Sequence, residues 1–306
     1  MSVSLVSTLY KSAPFVDEFV TRCLALMGPG DELVLVDDGS PDNSLTLARE
    51  RAASDSRIIV VELARNFGHH IAILTGLAHA QGDRVFFVDS DLEEAPELLT
   101  EFTTIMDASG VDVVFGIHDH SEGSVLRKAS SRAFWRIFNW ASDSATPLDI
   151  CNVRLMKRRY VEALLSLPES NVFLGGMFHW VGFKQIAISI ERRQRSSKST
   201  YSVVGRIALA VRSIISFSTA PLKAMFLLGM AISTLSFLLA MYYLVLKVLD
   251  PAIQLGFTTL IISIWFLSGI IIACLGVIGI YLAYMYTETK RRPRVVVRDV
   301  FRAKRP

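Results

Sequence analysis

Two long runs without a charged residue constrain this chain more than any other feature of its sequence. Between Lys223 and Lys247 lie 23 uncharged residues, and between Asp250 and Glu288 lie another 37. About 20 apolar residues suffice for a helix to cross the roughly 30 Å hydrocarbon core of a membrane. Each run therefore predicts a membrane-spanning helix, with a short turn near Pro251 between them. Because 51% of all residues are hydrophobic, composition also excludes a purely soluble enzyme, a fibrous chain and a disordered one.

Charge is distributed unevenly around these two runs, although the formal net charge is only +3. Residues 1–189 carry 16 basic and 25 acidic side chains, residues 190–223 carry seven and one, and residues 288–306 carry eight and two. Basic residues are enriched on the cytoplasmic side of membrane helices, so we expect both flanks to be cytoplasmic. The sequence thus predicts an integral protein of the cytoplasmic membrane with two spans. Its basic flanks also suit membrane lipids with anionic headgroups, and we expect no nucleic-acid partner.

Short β-branched runs alternate with helix-like stretches through the first 120 residues. The predicted strands are Val3–Leu9, Glu32–Val36, Arg57–Leu63, Arg84–Val88 and Val111–Phe115. The predicted helices are Phe15–Met27, Ser44–Ser54, His70–Ala80 and Pro96–Ala108. Repeated β-α-β units imply a mostly parallel sheet with right-handed crossovers. The fold class is therefore α/β and Rossmann-like.

We divide the chain into four parts on this basis. Residues 1–200 form the α/β domain, and residues 201–222 form amphipathic helices at the membrane interface, where arginines alternate with apolar residues. Residues 223–287 form a transmembrane helix hairpin, and residues 288–306 form a basic cytoplasmic tail.

Polar residues crowd the carboxyl ends of the predicted strands, which is where such sheets bind their ligands. The sets that follow the second, third and fourth strands are Asp37-Asp38-Gly39, Arg65-Asn66 with Gly68, and Asp89-Ser90-Asp91. Because the ends of parallel strands meet at one edge of a sheet, we expect these three sets to converge.

The two carboxylates of Asp89 and Asp91 are one residue apart after a buried strand. Carboxylates with this spacing can share a hard cation such as Mg²⁺ or Mn²⁺, which in turn bridges diphosphate oxygens. Glu93 and Glu94 follow, and either could supply a further oxygen ligand. The alternative is an acidic turn that caps the next helix. The position after a buried strand favours the metal site.

Asp37 and Asp38 begin a sharp turn into a helix, and their carboxylates can accept hydrogen bonds from a nucleotide base or a ribose. The alternative is an Asx turn with N-capping, which accounts for Ser40 and Asp42. Two consecutive aspartates exceed what a cap requires.

Histidine and cysteine give no metal prediction. His69 and His70 are adjacent, so on a helix their side chains point about 100° apart. The three cysteines, Cys23, Cys151 and Cys274, have no paired spacing.

These motifs, in this order, resemble the family 2 glycosyltransferases of GT-A fold. The elements nearer the C-terminus resemble the polyprenyl-phosphate glycosyltransferases among them, such as bactoprenol glucosyltransferases and dolichyl-phosphate mannose synthase. Those elements are Phe183-Lys184-Gln185, Ser216-Phe217-Ser218, Pro221-Leu222 and the two spans. The resemblance covers nearly the whole chain. It implies transfer of a sugar from a nucleotide sugar to a polyprenyl phosphate such as undecaprenyl phosphate.

The resemblance also implies roles for residues at the strand ends. It assigns nucleotide binding to Asp37, Asp38, Asn66 and Asp89, and catalysis to Asp89 and Asp91. Asp91 and Glu93 would hold Mg²⁺ or Mn²⁺, although Glu93 stands where these enzymes usually have Gln. Further departures are His118 and Gly175, where the family has Arg, and the segment Thr8–Ser12, which lacks the usual acidic group.

On the acceptor side, the resemblance assigns the lipid phosphate to two pairs of residues. The first pair is Arg127 and Ser131, a cation and a hydroxyl one helical turn apart. The second is Arg192 and Arg195, in a degenerate form of a family segment near the membrane. Without the resemblance, an ordinary basic helix face would account for Arg127 equally well.

The implied reaction is an inverting transfer, with UDP-glucose or a related UDP- or dTDP-hexose as donor. A phosphate is already anionic at neutral pH, so it can attack the anomeric carbon without a protein base. The resemblance also suggests a homo-oligomer, a tetramer in known cases. Two alternatives remain open. A processive synthase is disfavoured because the chain lacks a Q-x-x-R-W element and further spans, and a non-catalytic scaffold is disfavoured by the intact aspartate pairs.

Overall fold

The computed structural model of the chain describes residues 1–118, 150–169, 172, 174–190, 220–249 and 257–303. The chain divides into two compact units. The first comprises Met1–Ala133, Thr146–Thr200 and Arg292–Pro306, and the second comprises Phe134–Ala145 and Tyr201–Arg291.

The first unit is built on an eight-stranded mixed sheet flanked by helices. In chain order its described elements are β1 (Val3–Leu9), α1 (Val16–Leu26), β2 (Glu32–Asp37), α2 (Ser44–Ser54), β3 (Ile58–Leu63), α3 (His69–His79), β4 (Arg84–Phe87), α4 (Leu98–Ser109), β5 (Val113–His118), β6 (Ile150–Lys157), α5 (Arg158–Leu165), α6 (Leu174–Trp180), β7 (Gln185–Ile190) and β8 (Val297–Arg302). The strand order across the sheet is β7-β5-β6-β4-β1-β2-β3-β8.

Strands β4, β1, β2 and β3 are neighbours and run parallel, as the β-α-β alternation predicts. The structure reproduces β1 and α2 with the predicted bounds, and the other predicted elements of the first 120 residues agree within three residues. The predicted α/β class with a mostly parallel sheet is confirmed. Two antiparallel strands, β6 between β4 and β5 and β8 beside β3, make the sheet mixed.

The hydrophobic core lies on both faces of the parallel strands, and burial of their apolar side chains there stabilises them. On one face, Leu5, Leu33, Val60 and Phe86 of successive strands cluster with side chains of α1 and α4, among them Phe102, and all five are at most 1% exposed. The Phe86 and Phe102 rings meet edge to face at 6.0 Å. Because both faces are covered, these strands read as continuous apolar runs in the sequence.

The C-terminal segment returns to this sheet as an edge strand, which the sequence analysis did not predict. β8 pairs antiparallel with β3, and ion pairs reinforce the pairing. The largely buried Glu62 carboxylate of β3 accepts from Arg298 of β8 and from Arg49 of α2, each at 2.8 Å. Arg49 also contacts Asp299 at 2.8 Å. Part of the basic tail is therefore a component of the α/β unit.

The second unit contains α7 (Ala220–Leu249) and α8 (Phe257–Thr289), which contact each other. Within the described residues, Ser263–Thr289 is long and apolar enough to cross a membrane, and Ala224–Leu239 is a shorter apolar stretch. Large apolar side chains stand exposed on both helices, for example Phe226 at 67% and Trp265 at 78%. Because the described residues contain one candidate span, the predicted hairpin of two membrane-spanning helices stays a prediction.

Candidate active site

The carboxyl ends of β4, β1, β2 and β3 lie side by side at one edge of the sheet, here called the carboxyl edge. All three polar sets named from the sequence lie there: Asp37 ends β2, Arg65 and Asn66 follow β3, and Asp89 follows β4. The prediction that these residues share one edge is confirmed.

Asp37 is a buried carboxylate with spare hydrogen-bonding capacity. It is 2% exposed, and its Oδ2 accepts from the Ser40 backbone N–H at 3.1 Å. Within the described part of the chain, its buried Oδ1 has no hydrogen-bond partner. Burial raises the pKa of Asp37 above its ordinary value. An unpartnered carboxylate oxygen of this kind is a ready acceptor for a ligand N–H or O–H.

Asp38, by contrast, is occupied in holding the backbone. Its Oδ1 accepts from the Phe67 N–H at 2.7 Å and its Oδ2 from the Gly68 N–H at 3.0 Å. Those amides precede α3, so Asp38 satisfies donors at the start of that helix. Burial raises its pKa, and the two amides oppose the shift.

Gly39 brings the loop after β2 against the loop after β3. Its φ is +63°, in the left-handed region, and a Cβ placed there would lie 2.6 Å from the Asn66 backbone nitrogen. Only glycine permits this approach. Asn66 is thereby held beside the Asp37-Asp38 turn, with its side chain exposed at the edge.

The loop after β4 is fixed to the end of β1. Ser90 is 4% exposed, and its hydroxyl donates to the Thr8 carbonyl at 2.8 Å and contacts the Ser12 hydroxyl at 3.1 Å. Next to it, Leu92 has a φ of +60°, which is uncommon for a residue with a side chain. Such strain is typical of functional loops.

Negative charge is concentrated in this loop. Burial, followed by the charges of Glu94, Asp91 and Glu93, raises the pKa of Asp89 to about 8. Of the three neighbours, Glu94 has the largest effect, and it is 7% exposed. The Asp91 Oδ1 accepts from the Glu93 N–H at 3.1 Å.

Two side chains outside the predicted set, Asn152 and His69, lie beside Asp89. The Asn152 Nδ2 of β6 lies 3.4 Å from the Asp89 Oδ2 and 3.1 Å from the His69 Nε2. The His69 Nε2 is also 3.5 Å from the Asp89 Oδ1, and its Nδ1 is 3.2 Å from the Thr8 Oγ1. Partial burial, followed by the neighbouring His70, lowers the pKa of His69, so the ring is neutral at pH 7.

Comparison with known proteins identifies the family. The family model for glycosyl transferase family 2 matches residues 4–165. The chain belongs to glycosyl transferase family 2. Uncharacterized glycosyltransferase YkcC of Bacillus subtilis (strain 168) is 33% identical over 303 residues, 97% of this chain and 94% of that protein. The bactoprenol glucosyl transferase of Shigella phage SfV is 29% identical over 303 residues, 98% of this chain and 99% of that protein. The Escherichia coli (strain K12) prophage bactoprenol glucosyl transferase homolog is 29% identical over 304 residues, 98% of this chain and 99% of that protein.

The carboxylates of this family 2 chain fit a divalent cation by the chemistry of their donor atoms. The described residues contain no group of three His, Cys, Asp or Glu side chains arranged around one metal position. Mg²⁺ in nucleotide sites, however, is held by one or two carboxylates and by the substrate's phosphates. Burial and the neighbouring carboxylates raise the pKa of Asp89, so negative charge is concentrated here. Asp91, with Glu93 beside it, is suited to hold Mg²⁺ or Mn²⁺.

The acceptor-side residues named from the sequence cannot be placed at the carboxyl edge. Arg127, Ser131, Arg192 and Arg195 all lie outside the described residues. Their roles stay predictions.

Sequence reasoning missed His69 and Asn152 as site residues, for different reasons. His69 was considered only as a metal ligand, although it follows directly on Gly68 at the third strand end. Asn152 lies near the start of an antiparallel strand, which the rule on carboxyl ends of parallel strands does not cover. Extending the register of β4 and β6 by two residues places Asn152 opposite Asp89. Only a prediction of the β4–β6 pairing could have identified Asn152 as a site residue from the sequence.

Proposed function

We propose that this family 2 glycosyltransferase transfers a hexose from a nucleotide sugar to a polyprenyl phosphate in the cytoplasmic membrane. UDP-glucose, or a related UDP- or dTDP-hexose, is the donor, and undecaprenyl phosphate is the acceptor. The observation that carries the proposal is the convergence of Asp37, Asp89 and Asp91 at the carboxyl edge, from which the chain also leaves for its apolar helices.

Both connections to the second unit begin at that edge. β7 ends at Ile190, paired with His118 at the end of β5. β8 begins at Val297, paired with Leu63 at the end of β3. An acceptor anchored in lipid is thus compatible with the end of the sheet at which the aspartates lie. The bactoprenol glucosyl transferases among the relatives support a polyprenyl acceptor.

The donor nucleotide would bind between the two aspartate turns. The unpartnered Oδ1 of Asp37 suits a hydrogen bond from the base or the ribose. Asp38 would act mainly by shaping the turn, because both of its oxygens already accept backbone hydrogen bonds. Asn66, exposed beside Gly39, would complete this end of the site.

The reaction needs positioning more than proton transfer. The acceptor phosphate has a second pKa of about 6, so at neutral pH it attacks the anomeric carbon as an anion. The carbon–oxygen bond to the nucleoside diphosphate breaks as the new bond forms from the opposite side, which inverts the anomeric configuration. Asp89 and Asp91 would orient the diphosphate through the divalent cation that this site would hold, and Arg127, Ser131, Arg192 and Arg195 would hold the acceptor phosphate. When bound at Asp91 and Glu93, Mg²⁺ or Mn²⁺ supplies charge stabilisation for the departing diphosphate.

The position of β8 supports a membrane topology with two crossings. Because β8 is part of the sheet, the two ends of the segment between β7 and β8 lie on one side of any membrane it crosses. We therefore expect an even number of crossings, in which α8 does not cross alone. We infer that α7 and α8 both cross the membrane, with the α/β unit and the tail in the cytoplasm. We also propose that the chain works as a homo-oligomer, as the family resemblance implies.

The test is an assay of the purified full-length chain with undecaprenyl phosphate, Mg²⁺ or Mn²⁺, and a panel of nucleotide sugars. Mass spectrometry should find one lipid-phosphate monosaccharide, lost with EDTA and in Asp91→Asn. Glu101→Gln, which changes an exposed carboxylate on α4, is the matched control and should keep activity. Oligosaccharide products would indicate a processive synthase. No product from any donor, with nucleotide binding also lost, would favour the scaffold.

A further inference from the structure

His69 and Asn152 form a hydrogen-bonded cluster with Asp89 that neither the sequence motifs nor the proposed reaction requires. The Asn152 amide nitrogen reaches both partners, at 3.1 Å from the His69 Nε2 and at 3.4 Å from the Asp89 Oδ2. Among the described residues, this amide is the hydrogen-bond donor to Asp89. Three elements meet here, because Asn152 belongs to β6, His69 begins α3 and Asp89 follows β4.

When Asp89 is ionised, its carboxylate sets the hydrogen-bond directions in the cluster. With the amide nitrogen of Asn152 toward the carboxylate, its N–H groups are donated to Asp89 and to His69. With Asp89 ionised, the reverse orientation would place the amide oxygen against a carboxylate oxygen. The His69 Nε2 is then the acceptor, its proton is on Nδ1, and Nδ1–H donates to the Thr8 Oγ1 at 3.2 Å. The ring is thus neutral and locked at both nitrogens.

The placement of His69 differs from that of a core histidine. Its side chain keeps 43% of its surface exposed, and its one described aromatic contact toward the sheet is the edge of Phe87, at 6.3 Å between ring centroids. Packing alone therefore does not account for a ring whose two nitrogens both face polar atoms. Its contacts point to Asn152 and Asp89.

We propose that Asn152 and His69 are positioning residues for Asp89, with His69 acting through Asn152. The proposal rests on the proposed function, since it concerns the geometry of that site. Asp89 stands among Asp91, Glu93 and Glu94, whose charges repel it. The neutral amide gives the carboxylate one fixed hydrogen bond, and His69 fixes the amide. Asp89 thereby keeps a single orientation when the diphosphate of the donor binds.

A double-mutant cycle on the full-length chain tests this arrangement. Asn152→Ala and His69→Ala should each lower kcat by about 10- to 100-fold, because a misoriented carboxylate loses productive geometry. The KM for undecaprenyl phosphate should stay within twofold. Because His69 acts through Asn152, the double variant should be no worse than Asn152→Ala. His69→Gln, whose amide can again accept from Asn152, should recover most of the loss.

Controls separate positioning from folding and from the function itself. His79→Ala, at the other end of α3, should leave kcat unchanged, and thermal unfolding should show that each variant is folded. Asn152→Ser keeps a short donor if Asn152→Ala fails to fold. The proposal would be overturned if the losses multiply in the double variant, or if His69→Gln does not restore activity. It would also be overturned if kcat of Asn152→Ala or His69→Ala stays within twofold of wild type. If the wild-type chain transfers no sugar, the proposed function fails, while the same cycle read by UDP binding with Mn²⁺ still decides whether His69 and Asn152 act together.

Discussion

The Asp38 carboxylate accepts a 2.7 Å hydrogen bond from the Phe67 backbone N–H, which ties the turn after β2 to the start of α3. Because the Gly68 N–H donates to the same carboxylate, Asp38→Ala leaves two backbone donors without their acceptor. We expect it to cost about 1–3 kcal/mol of stability. Thermal unfolding of the full-length chain in detergent measures the loss.

Asp37→Asn is the matched comparison, because it alters the neighbouring aspartate without removing hydrogen bonds to the start of α3. It neutralises a buried carboxylate whose Oδ1 has no partner in the described part of the chain. We expect its unfolding temperature to equal or exceed that of wild type, while UDP affinity falls. Equal loss of stability in the two variants would show that Asp38 has no special structural role.

Gly39→Ala should damage both stability and nucleotide binding. The added Cβ would lie 2.6 Å from the Asn66 nitrogen, at a φ of +63° that alanine disfavours. The two loops must then separate, at a cost of more than about 1 kcal/mol. Gly30→Ala is the control, because a Cβ there meets nothing within 4 Å. Isothermal titration with UDP and thermal unfolding check both effects, and a Gly39→Ala variant as stable as Gly30→Ala would contradict them.

The β-α-β alternation was enough to predict the parallel half of the sheet, because those strands are covered on both faces and read as apolar runs. β6, β7 and β8 could not be placed, since their pairing joins segments far apart in the chain. β8 lies in a basic segment whose charge suggested a tail. Its place depends on Glu62 and Arg298, which only the folded sheet brings together.

The same distinction holds at the site. Asp37, Asp89 and Asp91 follow parallel strands and were predictable from that position. Asn152 was not, because an antiparallel strand brings its first residues, rather than its last, to the carboxyl edge.

Stability should fall as pH rises from about 6.5 to 8 in the absence of divalent cation. The pKa of Asp89 is raised to about 8 from an ordinary value of 3.8, so the folded chain holds a proton that the unfolded chain has released. This contribution to stability is fully present below the ordinary pKa of 3.8, and it is lost as pH rises past the folded pKa of about 8. The lowered pKa values of His69 and His70 act below pH 6.5, outside this window. Thermal unfolding in steps of pH measures the slope.

Asp89→Asn should flatten this pH dependence, and Mn²⁺ should reverse it in the wild-type chain by compensating the carboxylates. If stability falls with pH equally steeply in Asp89→Asn and in the wild-type chain, another group causes the pH dependence.

The proposed even number of membrane crossings can be tested by labelling. Under the proposed topology, β8 returns to the sheet beside β3, so the two ends of the α7–α8 segment would lie on one side of the membrane and residues 250–256 on the other. A cysteine in place of Gln254 should react with a membrane-impermeant maleimide from outside intact cells, whereas one in place of Lys304 should react only after permeabilisation. The native Cys23 and Cys151 are buried, and Cys274→Ser removes the third. Reaction of both positions from the same side would show that α7 and α8 do not form a spanning hairpin.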